Sequence, residues 1–263
     1  MEKPRVLLIV ATLGKRAQFL QQTLESIRFQ DVPSDLIIVA PENSPETREL
    51  AEEFTASLVA DPGSLAAAIN VGADYAEDHH EFINWLNDDD LLEPGSLRYT
   101  TQALDVHQEA VAAFGACRYV DPAGRQLWIS RAGKWAPRIL SWGPDLIPQP
   151  GMLIRSRAWR EVGGLDESYS FAFDLDLLLR LKKVGRLVDV SQVVSSFRWH
   201  PDSLTVGDRT TNIRESERAR RAALKPWQRA FAWMWERPVR LATRVAAQEV
   251  QRRAARLMQP VKL

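Results

Sequence analysis

The chain has 263 residues, 34 basic and 34 acidic side chains, and 45% apolar residues. That length and apolar content suit one large domain with a substantial core, and they exclude a disordered or fibrous chain. Zero net charge excludes a protein that coats nucleic acid with its whole surface, so no nucleic-acid partner is expected.

The neutral total hides an asymmetry. From Arg214 to Leu263 there are thirteen basic and four acidic residues, so acids outnumber bases by nine in the remainder. The single cysteine, Cys117, allows no internal disulfide and no cysteine-based zinc site, which makes a reducing compartment the default. The apolar run at 6–13 is far too short to span a membrane and lacks a small-x-small cleavage site, so it reads as a buried strand.

In chain order, residues 6–11 have the pattern of a strand covered on both faces. After the Thr12-Leu13-Gly14 turn, Phe19, Leu20, Leu24 and Ile27 recur at helical spacing. Residues 36–40 form a second apolar run, ended by Pro41, and 46–54 read as a helix. Residues 64–76 are Ala-rich, with Ser64 as N-cap after Gly63. A short strand at 82–86 runs straight into Asn87, Asp88, Asp89 and Asp90, and Pro94 opens a helix through Ala103. This alternation predicts an α/β fold: a Rossmann-like, mostly parallel open sheet flanked by helices.

The second half reads differently. Residues 112–120 and 126–129 flank Asp121-Pro122-Ala123-Gly124, a hairpin signal. Residues 131–150, rich in Gly, Pro and Trp, read as a long loop with one helical turn. A strand at 151–154, a helix at 156–162 and the Gly163-Gly164 break follow. Then come an amphipathic helix at 174–184 and two strands, 187–190 and 193–199.

Ligands of open α/β sheets bind beyond the carboxyl ends of the strands. Three carboxylates after the 82–86 strand sit at such an end. Adjacent carboxylates repel unless a cation neutralises them, and Mn²⁺ or Mg²⁺ is a hard partner that keeps positions free for phosphate oxygens. The same triplet also reads as a solvated loop, with Asp90 capping the next helix. Asp174 and Asp176 point different ways near a helix start, so one can face a cleft while the other caps or pairs; both also suit the helix dipole. Trp128, Trp135 and Trp142 crowd the irregular segment, where indoles stack on sugars or fill space equally well. Cys117 reads as core filler.

Several stretches then recur in a familiar order. They are residues 6–12, Ala68-Ile69-Asn70-Val71-Gly72, and Trp85-Leu86-Asn87-Asp88-Asp89-Asp90 with Pro94-Gly95-Ser96-Leu97. Further on come Gly163-Gly164-Leu165-Asp166-Glu167, Phe173-Asp174-Leu175-Asp176 running to Arg180, and Phe197-Arg198-Trp199-His200 with Ser203. Over about residues 4–205 the chain resembles the family 2 glycosyltransferases of the GT-A fold.

The resemblance implies a metal-dependent, inverting transferase. It would move a hexosyl or deoxyhexosyl unit from a nucleotide-diphosphate sugar to a glycan or lipid-linked acceptor, in cell-envelope or polysaccharide biosynthesis. It implies Asp89 as the Mn²⁺ or Mg²⁺ ligand, with His200 near metal and diphosphate, and Asp174 as catalytic base. Asp88 and Asp90 become sugar, ribose or outer partners. Thr12, Leu13, Gly14 and Arg16 fall in the nucleotide loop, Asn70 on its diphosphate side, and Arg198 beside the diphosphate or an acid. Two departures stand out. Ala40-Pro41-Glu42-Asn43 replaces the acidic pair that grips the nucleobase in many members, so Glu42 or Asn43 must substitute; and the metal motif begins with Asn87 rather than aspartate. Rival readings are a sugar-nucleotidyltransferase, for which Thr12-Leu13-Gly14-Lys15-Arg16 is a faint phosphate loop, and a non-catalytic carbohydrate-binding relative.

The expected organisation is a catalytic domain at 1–212, with a nucleotide-sugar half (1–110) and an acceptor half (111–212), followed by a basic amphipathic helical tail at 213–263. Pro226 suits a helix start, and residues 230–235 are apolar throughout. Val239, Ala242, Ala246, Val250, Ala254 and Leu257 then follow helical spacing, with arginines largely outside that stripe. This is the composition of an interfacial membrane binder. It describes a cytoplasmic protein, peripheral on the inner face of the membrane through 225–263. The alternatives are a tail packed on the catalytic domain or pairing two copies into a homodimer.

Overall fold

The computed structural model describes residues 3–199 and 209–241; His200 and the part of the tail from 242 onward lie outside the described residues. Six consecutive apolar residues leave neither face of a strand fit for water, and β1 (Val6–Ala11) is accordingly buried on both. Val6, Leu8 and Val10 enter one core while Leu7, Ile9 and Ala11 enter the other. β1 pairs in parallel with β2 (Ser34–Ala40) and β4 (Phe82–Asn87), and β3 (Ser57–Ala60) extends the sheet beyond β2. Helices α1 (Ala17–Arg28) and α2 (Pro45–Glu53) cover the first core, and α3 (Leu65–Ala73) covers the second.

The remaining strands complete a mixed sheet. β8 (Leu153–Arg155) lies antiparallel between β4 and β6 (Ala110–Val120), and β9 (Arg186–Arg198) runs parallel to β6. β5 (Leu91–Leu92) pairs with β9, and β7 (Gln126–Ser130) folds back on β6 as the expected hairpin. The open, helix-flanked α/β sheet is as expected, with its parallel character concentrated in the β3-β2-β1-β4 half and the β6-β9 pair. α4 (Ser96–Val106) backs the first core; α6 (Ser156–Val162) and α7 (Phe173–Val184) back the second. There Trp85 meets Trp159 edge-on, with centroids 5.9 Å apart, worth about 0.5–1.5 kcal/mol beyond the area buried.

Local differences from expectation have local causes. Pro94 does not open α4: Gly95, at φ 76°, turns the chain and Ser96 begins the helix. The two strands expected after α7 are one, β9, kinked where Ser191 takes φ 63° and the pairing with β6 slips. The 131–150 segment carries one helical turn, α5 (Ala136–Ile139). The helix α8 (Arg209–Ala223) runs unbroken through the expected 212/213 boundary and packs on α7. α9 (Pro226–Ala230) starts at Pro226 as expected. No described helix is long and apolar enough to cross a membrane.

Candidate active site

β1, β2 and β4 end level, because Ala11 is in register with both Val39 and Asn87. Their carboxyl ends open onto a cleft of about 360 Å³, walled by Thr12, Leu13, Arg16, Ser64, Asp88 and Asp89 among others. That volume suits a small-molecule ligand. Asp88 receives the Thr12 hydroxyl on Oδ2 at 2.6 Å, and the same Thr12 oxygen accepts the Gly14 amide at 3.0 Å. Gly14 sits at φ +69°, and a Cβ there would drive into Ser44 Oγ. Gly14→Ala is therefore expected to lower Tm and weaken nucleotide binding together, since left-handed backbone alone costs roughly 1–2 kcal/mol; differential scanning fluorimetry with and without nucleotide checks both.

A cation already bridges the acidic pair. Arg16 donates from Nη2 to Asp88 Oδ1 and from Nη1 to Asp89 Oδ2, each at 2.7 Å. Burial raises the Asp88 carboxyl above its ordinary range, with the Thr12 hydroxyl and Arg16 opposing the shift. Hard oxygen ligands crowded on a cleft wall, and needing positive charge to stay ionised, fit a divalent ion. Arg16 shows that the charge need is real.

Other expected site residues lie elsewhere. Asp90 is fully buried and turned away from the cleft: Asn87 Nδ2 donates to its Oδ2 at 3.0 Å, and Thr23 Oγ1 to its carbonyl at 2.8 Å. Burial and then the Asp89 charge raise its carboxyl well above the ordinary value. Arg198 is buried beneath the loop, donating to the Asp89 carbonyl, the Pro122 carbonyl and Gln22 Oε1, with its guanidinium 4.3 Å from the Phe19 ring centre. It shapes the acidic loop from behind. Asn70 staples α3 to the chain ahead of α7, exchanging hydrogen bonds with the Leu165 amide and carbonyl at 2.8 and 2.9 Å. Gly164 allows this approach, for a Cβ would lie 2.8 Å from Asn70 Oδ1. Glu42 is exposed on the turn after β2 and is not on the cleft wall.

The cleft also holds residues that sequence reading passed over. Asp61, Gly63, Leu65, Ala68 and Phe197 line it. Asp61 follows β3, donates its amide to the Ala40 carbonyl at 2.9 Å and accepts the Gly63 amide at 2.9 Å. The Asp61-Pro62-Gly63-Ser64 turn was the available signal. Ser64 does cap α3, accepting the Ala67 amide at 3.3 Å, which aims the positive end of α3 at the cleft.

Asp174 occupies the first turn of α7, half-buried, with Oδ1 accepting the Leu175 amide at 2.7 Å. Asp176 is buried and paired with Arg180 at 2.7 Å, so the two acids do part company as expected. Burial pushes the Asp174 carboxyl up to about 6. Asp145, from the loop before β8, is raised too, first by burial and then by the Asp174 charge, against the opposing pull of Arg220 on α8. Glu215 of α8 completes the frame by accepting the Ser170, Phe171 and Ala172 amides at 2.7–3.1 Å, just ahead of Asp174. Burial works against this carboxylate's charge, but the three amides hold it below the usual range. Glu215→Ala strands those donors, so a stability loss of about 1–3 kcal/mol is expected, read as a lower denaturation midpoint.

Among the described residues one cluster has conventional metal-ligand types, Asp35 with His79 and His80, at the amino ends of β2 and β4. His80 Nδ1 accepts the Glu77 amide at 2.9 Å, which leaves its proton on Nε2 facing Asp35 at 2.8 Å. A nitrogen that holds a proton offers no lone pair, so this is a hydrogen-bonded clasp, remote from the cleft.

Comparison with known proteins follows the same outline. The family described as glycosyltransferase-like family 2 matches residues 4–221. An uncharacterised protein, y4gI, of Sinorhizobium fredii is 25% identical over 223 residues, 78% of this chain and 24% of its own. Chondroitin synthase of Pasteurella multocida is 23% identical over 146 residues, 55% of this chain and 15% of its own. The chain thus spans a quarter or less of these curated relatives. Among solved structures, a mannosyltransferase from Pyrobaculum calidifontis in complex with GDP-Man and Mn²⁺ superposes with a TM-score of 0.61 at 17% identity, over 97% of this chain and 79% of that one.

Proposed function

The chain belongs to glycosyltransferase family 2, and from that premise we propose that it transfers a sugar, with inversion and with metal dependence, from a nucleotide-diphosphate donor to a glycan or lipid-linked acceptor. The observation that carries this reading is the cleft at the strand ends, where Asp88 and Asp89 face a cationic group beside the positive end of α3. Residues 1–110 would hold the donor, and residues 111–212, extended by α8, would present base and acceptor. The envelope or polysaccharide setting and a cytoplasmic location are part of the same proposal; the likeness to a chondroitin synthase supports a glycan product.

In this reading Thr12, Leu13 and Asp61 seat the nucleoside, and the α3 amides and Arg16 meet the diphosphate. Asp89, with His200, would hold Mn²⁺ or Mg²⁺, whose chemistry is to offset charge on the departing diphosphate. The acceptor oxygen attacks the anomeric carbon from the face opposite the leaving group, and the carbon–oxygen bond to the diphosphate breaks. Asp174 takes the acceptor's hydroxyl proton. A single displacement inverts the anomeric centre.

Incubation with a panel of nucleotide sugars tests the reading. At least one should be slowly hydrolysed with Mn²⁺, and chelation should stop it. A nucleotidyltransferase would instead release pyrophosphate from a nucleoside triphosphate and a sugar phosphate, and a carbohydrate-binding relative would turn over neither.

A further inference from the structure

The helical residues 233–241 are built inside out. Two of their charges face the body, Glu236 pairing with Arg221 at 2.5 Å and Arg240 with Glu217 at 2.6 Å on α8. Three of their bulky apolar groups face solvent, Trp233 at 62%, Met234 at 58% and Leu241 at 64% exposed, while Trp235 packs on Trp142. Trp227 on α9 and Phe231 in the turn after it are exposed as well. A helix that only covered the domain would turn these rings inward and its ion pairs outward.

A second row joins the first. Trp135, Ile139, Trp142 and Leu146 are exposed and follow four-three-four spacing through α5 and the loop after it. Trp142 packs edge-on to Trp235, centroids 4.5 Å apart, over a cavity of about 50 Å³, which joins the two segments. Ser141, beside Trp142, accepts Lys182 Nζ of α7 at 3.2 Å, which ties this segment to the helix that carries Asp174. The aromatic face therefore borders the acceptor side.

The rim is cationic. Lys225, Arg229 and Arg237 beside one row, and Lys134 and Arg138 beside the other, are exposed. From 225 to 241 there are four basic residues and one acid, and that acid is already paired. A second copy of this chain would bring like charge to the same rim. A surface of anionic headgroups over an apolar interior complements both features at once.

We propose that this face, made jointly by residues 135–146 and 227–241, seats the protein on an anionic bilayer, so that the acceptor side of the site faces the membrane. The sequence alone assigned membrane contact to residues 225–263, aromatic run and basic helix together; the structure adds the 135–146 segment to the aromatic part of that surface. The proposal rests on the transferase reading only in calling that side the acceptor side; vesicle binding itself needs no transfer.

Co-sedimentation of the full chain with phosphatidylcholine vesicles, with and without phosphatidylglycerol, tests it. Binding is expected only with the anionic lipid, and should weaken as salt rises. Trp227→Ser, Phe231→Ser and Trp233→Ser combined should reduce binding by about tenfold or more. Unchanged stabilisation of that variant by Mn²⁺ and nucleoside diphosphate shows that the donor cleft is intact, which separates this proposal from the transferase reading. Should the triple variant fail to fold, Arg138→Glu with Arg237→Glu, at exposed positions, is expected to abolish the preference for anionic lipid. The proposal is overturned if the full chain ignores anionic vesicles at low salt or if the variants bind as well as the parent. It is equally overturned if sedimentation velocity shows a dimer that the aromatic substitutions dissociate while vesicles go unbound.

Discussion

Replacing Asp174 with Asn is expected to leave donor binding nearly unchanged and to slow transfer by about 10²- to 10⁴-fold. The amide keeps the side chain's shape and its bond from the Leu175 amide, but it takes no proton. The pH dependence separates a base from a merely structural acid. Burial raises Asp174 from 3.8 to about 6, and only the ionised form accepts the acceptor's proton. The parent's rate should therefore climb through about pH 6 and level off above it, and the variant's residual rate should lack that limb. The stability consequence has the opposite direction. The folded chain holds this proton more tightly than the unfolded chain, so stability falls as pH rises from 3.8 through about 6. Asp174→Asn removes that cost and should not lower Tm at pH 7. A variant at Asp176 that alone eliminated transfer while keeping the fold would move the role to that residue; its pairing with Arg180 makes loss of stability the expected result instead.

Asp89→Asn should weaken Mn²⁺-dependent nucleoside diphosphate binding by at least about a hundredfold, the scale on which even outer partners of metal ligands act. The fold should survive. The Asp89 side chain lies on the cleft wall, and its backbone carbonyl receives Arg198. Arg16 keeps its bond to Asp88, so no buried cation is stranded. Calorimetric titration with and without Mn²⁺ reads the effect directly. Equal affinity in variant and parent would remove Asp89 from the metal site.

The β1–β4 half was legible in the sequence because its signals are local. A run of six apolar residues admits few positions in an α/β sheet, and carboxylates immediately after a strand have to lie at its end. Thr12, Gly14 and Ser64 also declare themselves through turn and cap chemistry. β3 did not, since it is only four residues long and mostly exposed, and with β3 went Asp61. Asn70, Arg198 and Glu215 act through partners far away in the chain: Leu165, Gln22 and the amides before α7. No spacing encodes such bonds, so Asn70 read as lying on the diphosphate side, Arg198 as beside the diphosphate or an acid, and Glu215 as one charge in a basic tail. The tail's aromatic run was visible, but which side of its helix faced water depended on ion pairs made with α8.

Titration of the full chain with uridine, guanosine, adenosine and thymidine diphosphates, each with Mn²⁺ and again with chelator, tests the central claim most directly. The account predicts that at least one binds with Mn²⁺, loses most of its affinity on chelation, and loses it equally in Asp89→Asn. Binding of none of the four with Mn²⁺, or binding that neither chelation nor the Asp89 substitution alters, would contradict it.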